Sequence, residues 1–228
     1  WVPGNPAPSV DERRRGYMRH IDRCRRESRE DAEQQRSMME FVDPDPHALM
    51  LFVGSARMWE RGRYDDDFTH VRIGTASQRA RTHVSIGETN AVEDIDPICA
   101  LALRRALRES LVLSDVPVCL ALGDFSTVYI GGADGRKVVR TLLAQLVTLH
   151  GPEAVRIMVC GHPRSWPWLP WVPHSDGQEA FSDPEEVVKA LDELWSDRSG
   201  ASASRDDSGP QVVLIIDGAA PLTVAHHP

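Results

Sequence analysis

The residues between Gly131 and Lys137 have the types and order of a loop that could hold a phosphate. The stretch reads GGADGRK, follows the apolar run STVYI and precedes an apolar helical pattern. In phosphate-binding loops, glycines let backbone N–H groups approach the phosphate, and a lysine reaches its outer oxygens. The candidate nucleotide-binding residues of this stretch are Gly131, Gly132, Gly135, Arg136 and Lys137.

The match to a complete nucleotide-binding loop is partial. In the pattern G-x-x-x-x-G-K-[ST], counted from Gly131, the second glycine falls on Arg136 and the hydroxyl on Val138. Arg136 places a Cβ where the backbone must approach the phosphate, and Val138 has no oxygen for magnesium. Asp134 adds a negative charge inside the loop. These departures predict a degenerate loop that keeps at most weak, vestigial affinity for ATP and magnesium.

A second candidate residue is Asp217, which ends the apolar run QVVLIID. An apolar strand that closes on an aspartate is typical of the magnesium-holding element of P-loop ATPases, and many place a glutamate next to activate water. Here the next residue is Gly218. Two hypotheses follow: an ordinary strand–turn–helix connection with no cofactor and no catalytic residue, or a divergent but active ATPase that uses Lys137 and Asp217.

The composition argues against several other classes of protein. A formal net charge of -8 disfavours a general nucleic-acid binder or an FtsK-like DNA translocase. The histidines and cysteines lack the spacing of metal ligands, so no metal site is predicted. The four cysteines are widely spaced, which indicates reduced thiols and a cytoplasmic location. No apolar run is long enough to span a bilayer, so a membrane anchor is expected outside this sequence.

The segment SWPWLPWVPH concentrates three tryptophans, Trp166, Trp168 and Trp171. One interpretation is a short helix whose indole rings cover the edge of a sheet. The other is an exposed contact for a neighbouring subunit or domain, because tryptophan is enriched at binding hot spots. Both interpretations stay open at the level of the sequence.

The elements that would position these residues begin with a long charged helix over residues 11–42. This stretch contains no proline, and opposite charges recur at helical spacing, as in Arg23 and Glu27. Apolar residues are too sparse for a broad buried face, so the pattern predicts a solvated rod or a helix that packs in an assembly. A second helix is predicted over 47–61, followed by two short strands joined near 76–78.

From residue 98 onward, helical patterns alternate with apolar runs. The runs at 155–161 and 211–218 are typical of buried parallel strands. The other predicted elements are helices over 98–111, 137–150 and 183–195 and strands over 116–122 and 126–130. This order predicts an α/β fold with a parallel sheet. Its parts are a disordered tail (1–10), a stalk or adaptor region (11–97) and an ATPase-like domain (98–228) that is truncated at its C-terminus.

Several long runs of sequence resemble one known family. These are RRRGYMRHIDRCRRESREDAEQQR, DPDPHALMLFVGSARMWERGRYDDDFTHVRIGTASQ, VEDIDPICALALRRAL, LAQLVTLHGPEAVRIMVCG, WPWLPWVPH and VVLIIDG, which cover most of residues 11–218 in order. They are similar to EccC, the FtsK/SpoIIIE-type ATPases of type VII (ESX) secretion in actinobacteria. The similarity falls between the transmembrane helices and the first motor domain of that family.

The resemblance implies a long cytoplasmic stalk helix and a P-loop-NTPase-like domain at the cytoplasmic face of the cell membrane. It implies six copies of the protein per assembly and the partner components EccB, EccD and EccE, with transmembrane helices outside this sequence. The motor domains of the family carry intact phosphate-binding loops, whereas this sequence does not. The resemblance therefore implies a coupling module of a protein-export motor that does not itself hydrolyse ATP.

Overall fold

The computed structural model describes residues 9–81, 96–200 and 209–218, without the side chains of 197–200. The described residues fall into two compact units, each built from two stretches of the chain. The first unit lies within Trp1–Pro44 and Ile73–Cys119, and the second lies within Asp45–Arg72 and Leu120–Pro228. The domain boundaries proposed from the sequence, after residues 10 and 97, stay a prediction.

The first unit begins with the predicted long helix, α1 (Val10–Val42). Ser9 and Glu12 form a capping box, in which each side chain accepts the backbone N–H of the other residue. One face of α1 is turned away from water, with Ile21 as its buried residue. The members of this packing face recur every three or four positions: Arg14, Tyr17, Met18, Ile21, Cys24, Arg25, Ser28, Ala32, Gln35, Arg36 and Met39.

A second helix of this unit, α2 (Pro97–Ser110), lies against α1. Asp96 caps α2 through one carboxylate oxygen and accepts a hydrogen bond from Arg14 Nε on the other, at 2.7 Å. Farther along, Arg25 lies 3.6 Å from Glu109. The packing face of α1 therefore contacts α2 within the first unit, and polar side chains make much of this contact.

Two strands, β1 (His70–Arg79) and β2 (Val112–Ala121), pair as a two-stranded sheet. Backbone hydrogen bonds at both ends of the pair make it antiparallel. The predicted turn at 76–78 is wrong, because β1 continues through these residues and takes β2 as its partner. The second strand of the predicted hairpin lies mostly outside the described residues.

The second unit begins with a short 3₁₀-helix, Pro46–Leu51, followed by turns, so the longer helix predicted over 47–61 is wrong. Gly54 adopts a φ of +76°, a left-handed conformation that ends a helical path. Leu49 is buried while Met50 and Leu51 are exposed. The apolar residues of this stretch therefore do not form one buried helical face.

The core of the second unit is a parallel strand pair with a helix on each face. The strands are β3 (Val155–Cys160) and β4 (Gln211–Ile216), and the helices are α3 (Gly135–Leu149) and α4 (Pro184–Gly200). All four elements are predicted from the sequence, with starts that agree for both strands and other ends that differ by up to five residues.

Alternation along β3 divides this core into two clusters. Ile157 and Val159 pack with leucines of α3, whereas Met158 and Cys160 pack with Val187 and other apolar residues of α4. Successive side chains of a strand point to opposite faces, so one buried strand serves both helices. The mixed α/β class is therefore confirmed, while the likeness of this unit to a nucleotide-binding fold stays a prediction.

The predicted strand at 126–130 is not formed. Its residues are mostly exposed, and Tyr129 is 91% exposed. The run has the β-branched and aromatic residues typical of a strand. A strand also needs a neighbouring strand that pairs with its backbone hydrogen-bonding groups. The candidate loop is therefore entered from an irregular segment rather than from a strand.

Candidate nucleotide site

The predicted phosphate loop is a tight turn that leads directly into α3. The N–H of Gly135 donates to the carbonyl of Gly132 at 3.2 Å, and Gly132 has a φ of +102°. The N–H groups of Lys137 and Val138 both donate to the carbonyl of Asp134. These donors are engaged inside the turn and the first helical turn, and so they do not converge on a shared anion position.

Local backbone geometry explains why glycines occupy these positions of the turn. A Cβ on Gly135 would lie 3.2 Å from the carbonyl oxygen of Ile130, and one on Gly131 would lie 3.0 Å from the ring of Tyr129. Gly132 provides the left-handed conformation that other residues rarely adopt. Close backbone approach within the turn thus accounts for residues that a phosphate-binding loop would also require.

Lys137 forms an ion pair with Asp134, with Nζ 2.7 Å from Oδ1. Both side chains are largely exposed, and such pairs contribute little to stability because water and salt screen them. The pair lies at the first turn of α3. Asp134, the acid inside the loop, therefore binds Lys137, the residue that would otherwise contact a nucleotide.

Arg136 and Asp217, by contrast, are brought together in a well-formed contact. Arg136 Nε lies 2.8 Å from Asp217 Oδ2 and a terminal nitrogen lies 3.0 Å from Oδ1, which is the bidentate geometry of strong arginine–carboxylate pairs. The indole Nε1 of Trp166 donates to Oδ2 at 2.8 Å. The Asp217 side chain is only 17% exposed. Three donors from two side chains therefore engage both oxygens of the carboxylate that the sequence suggests as a magnesium ligand.

The fold places Asp217 in this position through the sheet. Its N–H donates to the carbonyl of Cys160 at 2.8 Å, which extends the pairing of β4 with β3 by one residue. The neighbouring Gly161 leaves room for it, because a Cβ there would lie 2.9 Å from Asp217 Cβ. The strand end, the glycine and the start of α3 together fix the ion pair.

The electrostatics of the site favour a charged Asp217. Burial by itself would raise the pKa of this carboxyl, but hydrogen bonds from Arg136 and Trp166 and the positive charges of Arg136 and Arg140 hold the pKa below its usual range. The hydrogen bond and charge of Asp217 raise the pKa of Arg136 in turn. The guanidinium of Arg136 is thus the countercation of this carboxylate.

The three tryptophans of the candidate contact segment have different environments. Trp166 is 1% exposed and touches Asp217, as described, while Arg140 lies 5.6 Å above its ring. Trp168 is half-buried and packs against Trp166 with ring centroids 5.8 Å apart. Trp171 is 86% exposed. The two interpretations of the segment thus apply to different residues: the first two tryptophans belong to the core, and Trp171 is presented to solvent.

A buried histidine pair is the feature that the sequence analysis missed. His150 Nε2 accepts the N–H of Thr69 at 3.0 Å, so Nδ1 carries the proton toward the carbonyl of Leu146 at 3.2 Å. His174 Nε2 in turn donates to the carbonyl of His150 at 2.8 Å. Burial lowers the pKa of His150 to about 4. No motif marks these histidines; the only signal is that His150 directly follows the strongly amphipathic α3.

The same end of α3 is covered by residues 59–72, hereafter the 59–72 segment. The N–H groups of Trp59 and Arg61 donate to the carbonyls of Thr148 and Leu149, each at 2.9 Å. The last carbonyls of a helix have no partner within the helix, and this segment supplies one. The contact is structural and lies at the opposite end of α3 from the candidate site.

Within the part of the chain that the structure describes, no three histidine, cysteine or acidic side chains group as metal ligands. No described helix combines the length and the apolar character needed to cross a membrane. The candidate site consists of the glycine turn, the start of α3 and the acidic end of β4.

Together these features define a mixed α/β protein whose second unit carries an internally neutralised acidic site. No protein-family model matches the chain. It is 36% identical to the ESX secretion system protein EccC of Thermomonospora curvata over 94% of its length. It is 30% identical over 94% of its length to the ESX-3 secretion system protein EccC3 of Mycobacterium tuberculosis, and 25% identical over 93% to the ESX-1 protein EccCa1 of the same species.

These similarities confirm the resemblance seen in the sequence: the chain is homologous to a segment of EccC proteins of ESX, or type VII, secretion systems. The chain spans 18% of the length of the first two relatives and 31% of the third. The homology thus concerns one part of a much longer protein.

Proposed function

We propose that this chain is the stalk and pseudo-ATPase module of a type VII secretion motor. In this role it couples the membrane part of the motor to ATPase domains located elsewhere in the protein, and it does not itself hydrolyse ATP. Its similarity to EccC proteins of ESX secretion systems, including ESX-1 and ESX-3, supports the assignment to a secretion motor.

The observation that carries the pseudo-ATPase proposal is the engagement of Asp217. A magnesium-holding aspartate must offer its oxygens to water or metal, but both oxygens here accept hydrogen bonds from Arg136 and one also accepts from Trp166. Lys137 is paired with Asp134, and the glycine turn is closed by its own hydrogen bond. The carboxylate of Asp217, the ammonium of Lys137 and the N–H of Gly135 thus already have internal partners.

The long helix supports the stalk part of the proposal. α1 has 33 residues, which corresponds to a length of about 50 Å. Such a helix can bridge a membrane-anchored segment and a folded domain. We place the module at the cytoplasmic face of the cell membrane, in an assembly of six copies with EccB, EccD and EccE as partners and with no nucleic-acid ligand.

Calorimetric titration of ATP and magnesium into the chain tests the proposal. We expect no saturable binding up to millimolar nucleotide and no ATP turnover above background. The matched variants are Lys137→Ala and Lys189→Ala, since both lysines are 80% exposed and each is paired with one acid. Both variants should behave like the unmodified chain.

The competing hypothesis, a divergent active ATPase, makes a different prediction for the same experiment. It requires micromolar binding that Lys137→Ala abolishes and Lys189→Ala leaves intact. That result would overturn the pseudo-ATPase proposal. The presence of a lysine at the correct spacing after Gly131 is the observation that favours this alternative.

A further inference from the structure

The outer face of α1 carries an arginine stripe, defined as Arg15, Arg19, Arg23 and Arg26. All four side chains are exposed and lie opposite the packing face of the helix. Arg15 and Arg19 donate hydrogen bonds to backbone carbonyls of α1. In the described part of the chain, no carboxylate lies within ion-pairing distance of any of the four guanidinium groups.

The stripe is a local concentration of positive charge on an acidic protein, whose formal net charge is -8. Arginines four residues apart on a helix repel each other, so Arg15, Arg19 and Arg23 oppose helix formation, and the exposed acids Glu27 and Glu30 follow only at the C-terminal end of the stripe. The predicted pairing of Arg23 with Glu27 would have relieved this repulsion, but it is not formed. Asp22, the one acid between positions 15 and 26, instead lies 3.8 Å from Arg25 on the packing side.

A face of opposite charge lies on α4 in the second unit. Its inner side packs through Val187 and Leu191, which are buried. Its outer side exposes the α4 acidic face, comprising Glu185, Glu186, Asp192 and Glu193, with one lysine, Lys189, whose Nζ lies 3.9 Å from Glu193.

The two faces have opposite charges, and one pair of residues on each face has the same spacing. Arg19 and Arg26 are seven residues apart on α1, and Glu186 and Glu193 are seven residues apart on α4, so each pair spans about 10.5 Å along its helix. Guanidinium groups bind carboxylates in a planar, two-point geometry, which suits such a helix-to-helix contact. The stripe has no aromatic or aliphatic side chain of its own that would favour insertion into a bilayer.

We propose that the arginine stripe of one copy binds the α4 acidic face of a second copy. The two surfaces differ, so the contact is heterologous, and repeated contacts of this kind build a ring or a filament. The inference rests on the proposed function only for the presence of several copies, and it names the surfaces through which they meet. Exposed ion pairs are individually weak, so the contact is expected to be salt-sensitive.

A charge-swap experiment on the full chain tests this contact. One variant carries Arg19→Glu and Arg26→Glu, and the other carries Glu186→Arg and Glu193→Arg. Analytical ultracentrifugation in low salt should show self-association of the unmodified chain that is lost at high salt. Each variant alone should sediment as a monomer, because the substitutions remove the charge complementarity between its two faces. An equimolar mixture should restore association, because the unaltered α4 acidic face of the first variant can bind the unaltered arginine stripe of the second.

The matched control carries Arg104→Glu and Arg164→Glu, which makes the same charge change at exposed arginines outside the stripe. This control should associate like the unmodified chain. The proposal is overturned if the unmodified chain stays monomeric in low salt, if the mixture does not associate, or if the control is as defective as the variants. Stripe-dependent binding to phosphatidylserine vesicles without self-association would also overturn it. Nucleotide titration plays no part in this test, so the two proposals can fail separately.

Discussion

Gly161 leaves the space in which Asp217 meets its donors. A Cβ at this position would lie 2.9 Å from Asp217 Cβ and 3.2 Å from the Asp217 carbonyl oxygen. We therefore expect Gly161→Ala to displace the end of β4 and to destabilise the second unit by about 1–3 kcal/mol, the usual cost of overpacking. Urea unfolding followed by tryptophan fluorescence measures this change.

Gly16→Ala is the comparison for that variant. Gly16 lies in the interior of α1, and a Cβ there meets nothing within 4 Å. Replacing an unconstrained helical glycine by alanine should stabilise the first unit by about 0.5–1 kcal/mol, which urea unfolding followed by circular dichroism measures. A neutral Gly161→Ala would mean that the contact between Gly161 and Asp217 is loose and that the geometry of the ion pair is not fixed by the sheet.

The ion pair between Arg136 and Asp217 could be predicted only in part. The sequence identifies both residues as site candidates, because one follows a glycine turn and the other ends an apolar strand. Their sequence separation of 81 residues hides the pairing itself, which depends on the register of β4 against β3. Pairing between residues so far apart in sequence depends on the tertiary fold, and local sequence patterns do not predict it.

At the scale of secondary structure, the predictions agree with the structure for elements whose own residues show a clear apolar pattern. α3 has an apolar side at helical spacing, and β3 is a continuous apolar run, so both are evident from their residues alone. The run at 126–130 has a similar appearance but lacks a neighbouring strand, and the apolar letters of 47–61 do not share a buried side. Partners that lie elsewhere in the chain decide such segments.

His150 links the end of α3 to the 59–72 segment and should make their contact sensitive to acid. A pKa of about 4 in the folded chain, against about 6.5 in the unfolded chain, means that the unfolded chain binds more protons between these values. Stability is then fully present above pH 6.5 and falls by up to about 3 kcal/mol as the pH drops to 4. Burial is the main cause, and the charge of Arg61 and the nearby His174 and His70 act in the same direction.

Urea unfolding at a series of pH values between 7 and 4 measures this loss. His150→Gln should be less stable at pH 7 but should show a shallower dependence on pH, because the titrating group is gone. His47→Gln, at an exposed position, controls for removal of a histidine. Equal pH dependence in all three proteins would contradict the assignment of the acid sensitivity to His150.

At the scale of the whole molecule, the two compact units predict separable stability. The tryptophans of the described residues are all in the second unit: Trp59, Trp166, Trp168, Trp171 and Trp195. Deleting residues 1–42 removes α1 and its contacts with α2. We expect the fluorescence-detected thermal midpoint to change by less than about 2 °C, while circular dichroism shows the loss of helix.

Gly16→Pro offers the same test with a single residue, since proline in a helix interior breaks the helix. It should lower the stability of the first unit and leave the tryptophan signal unchanged. A fall of more than about 5 °C in the fluorescence midpoint of either protein would mean that α1 contributes to the core of the second unit.

The contact between Gln145 and the backbone of Arg72 predicts which of these two positions is conserved among homologues. Its buried side-chain amide accepts the N–H of Arg72 at 2.7 Å and donates to the carbonyl of Arg72 at 2.9 Å, as a neighbouring strand would. The contact recognises the backbone at position 72, which every residue except proline provides in the same form. Selection through this contact therefore acts on position 145 alone, and among homologues it should retain an amide there without any matching change at position 72.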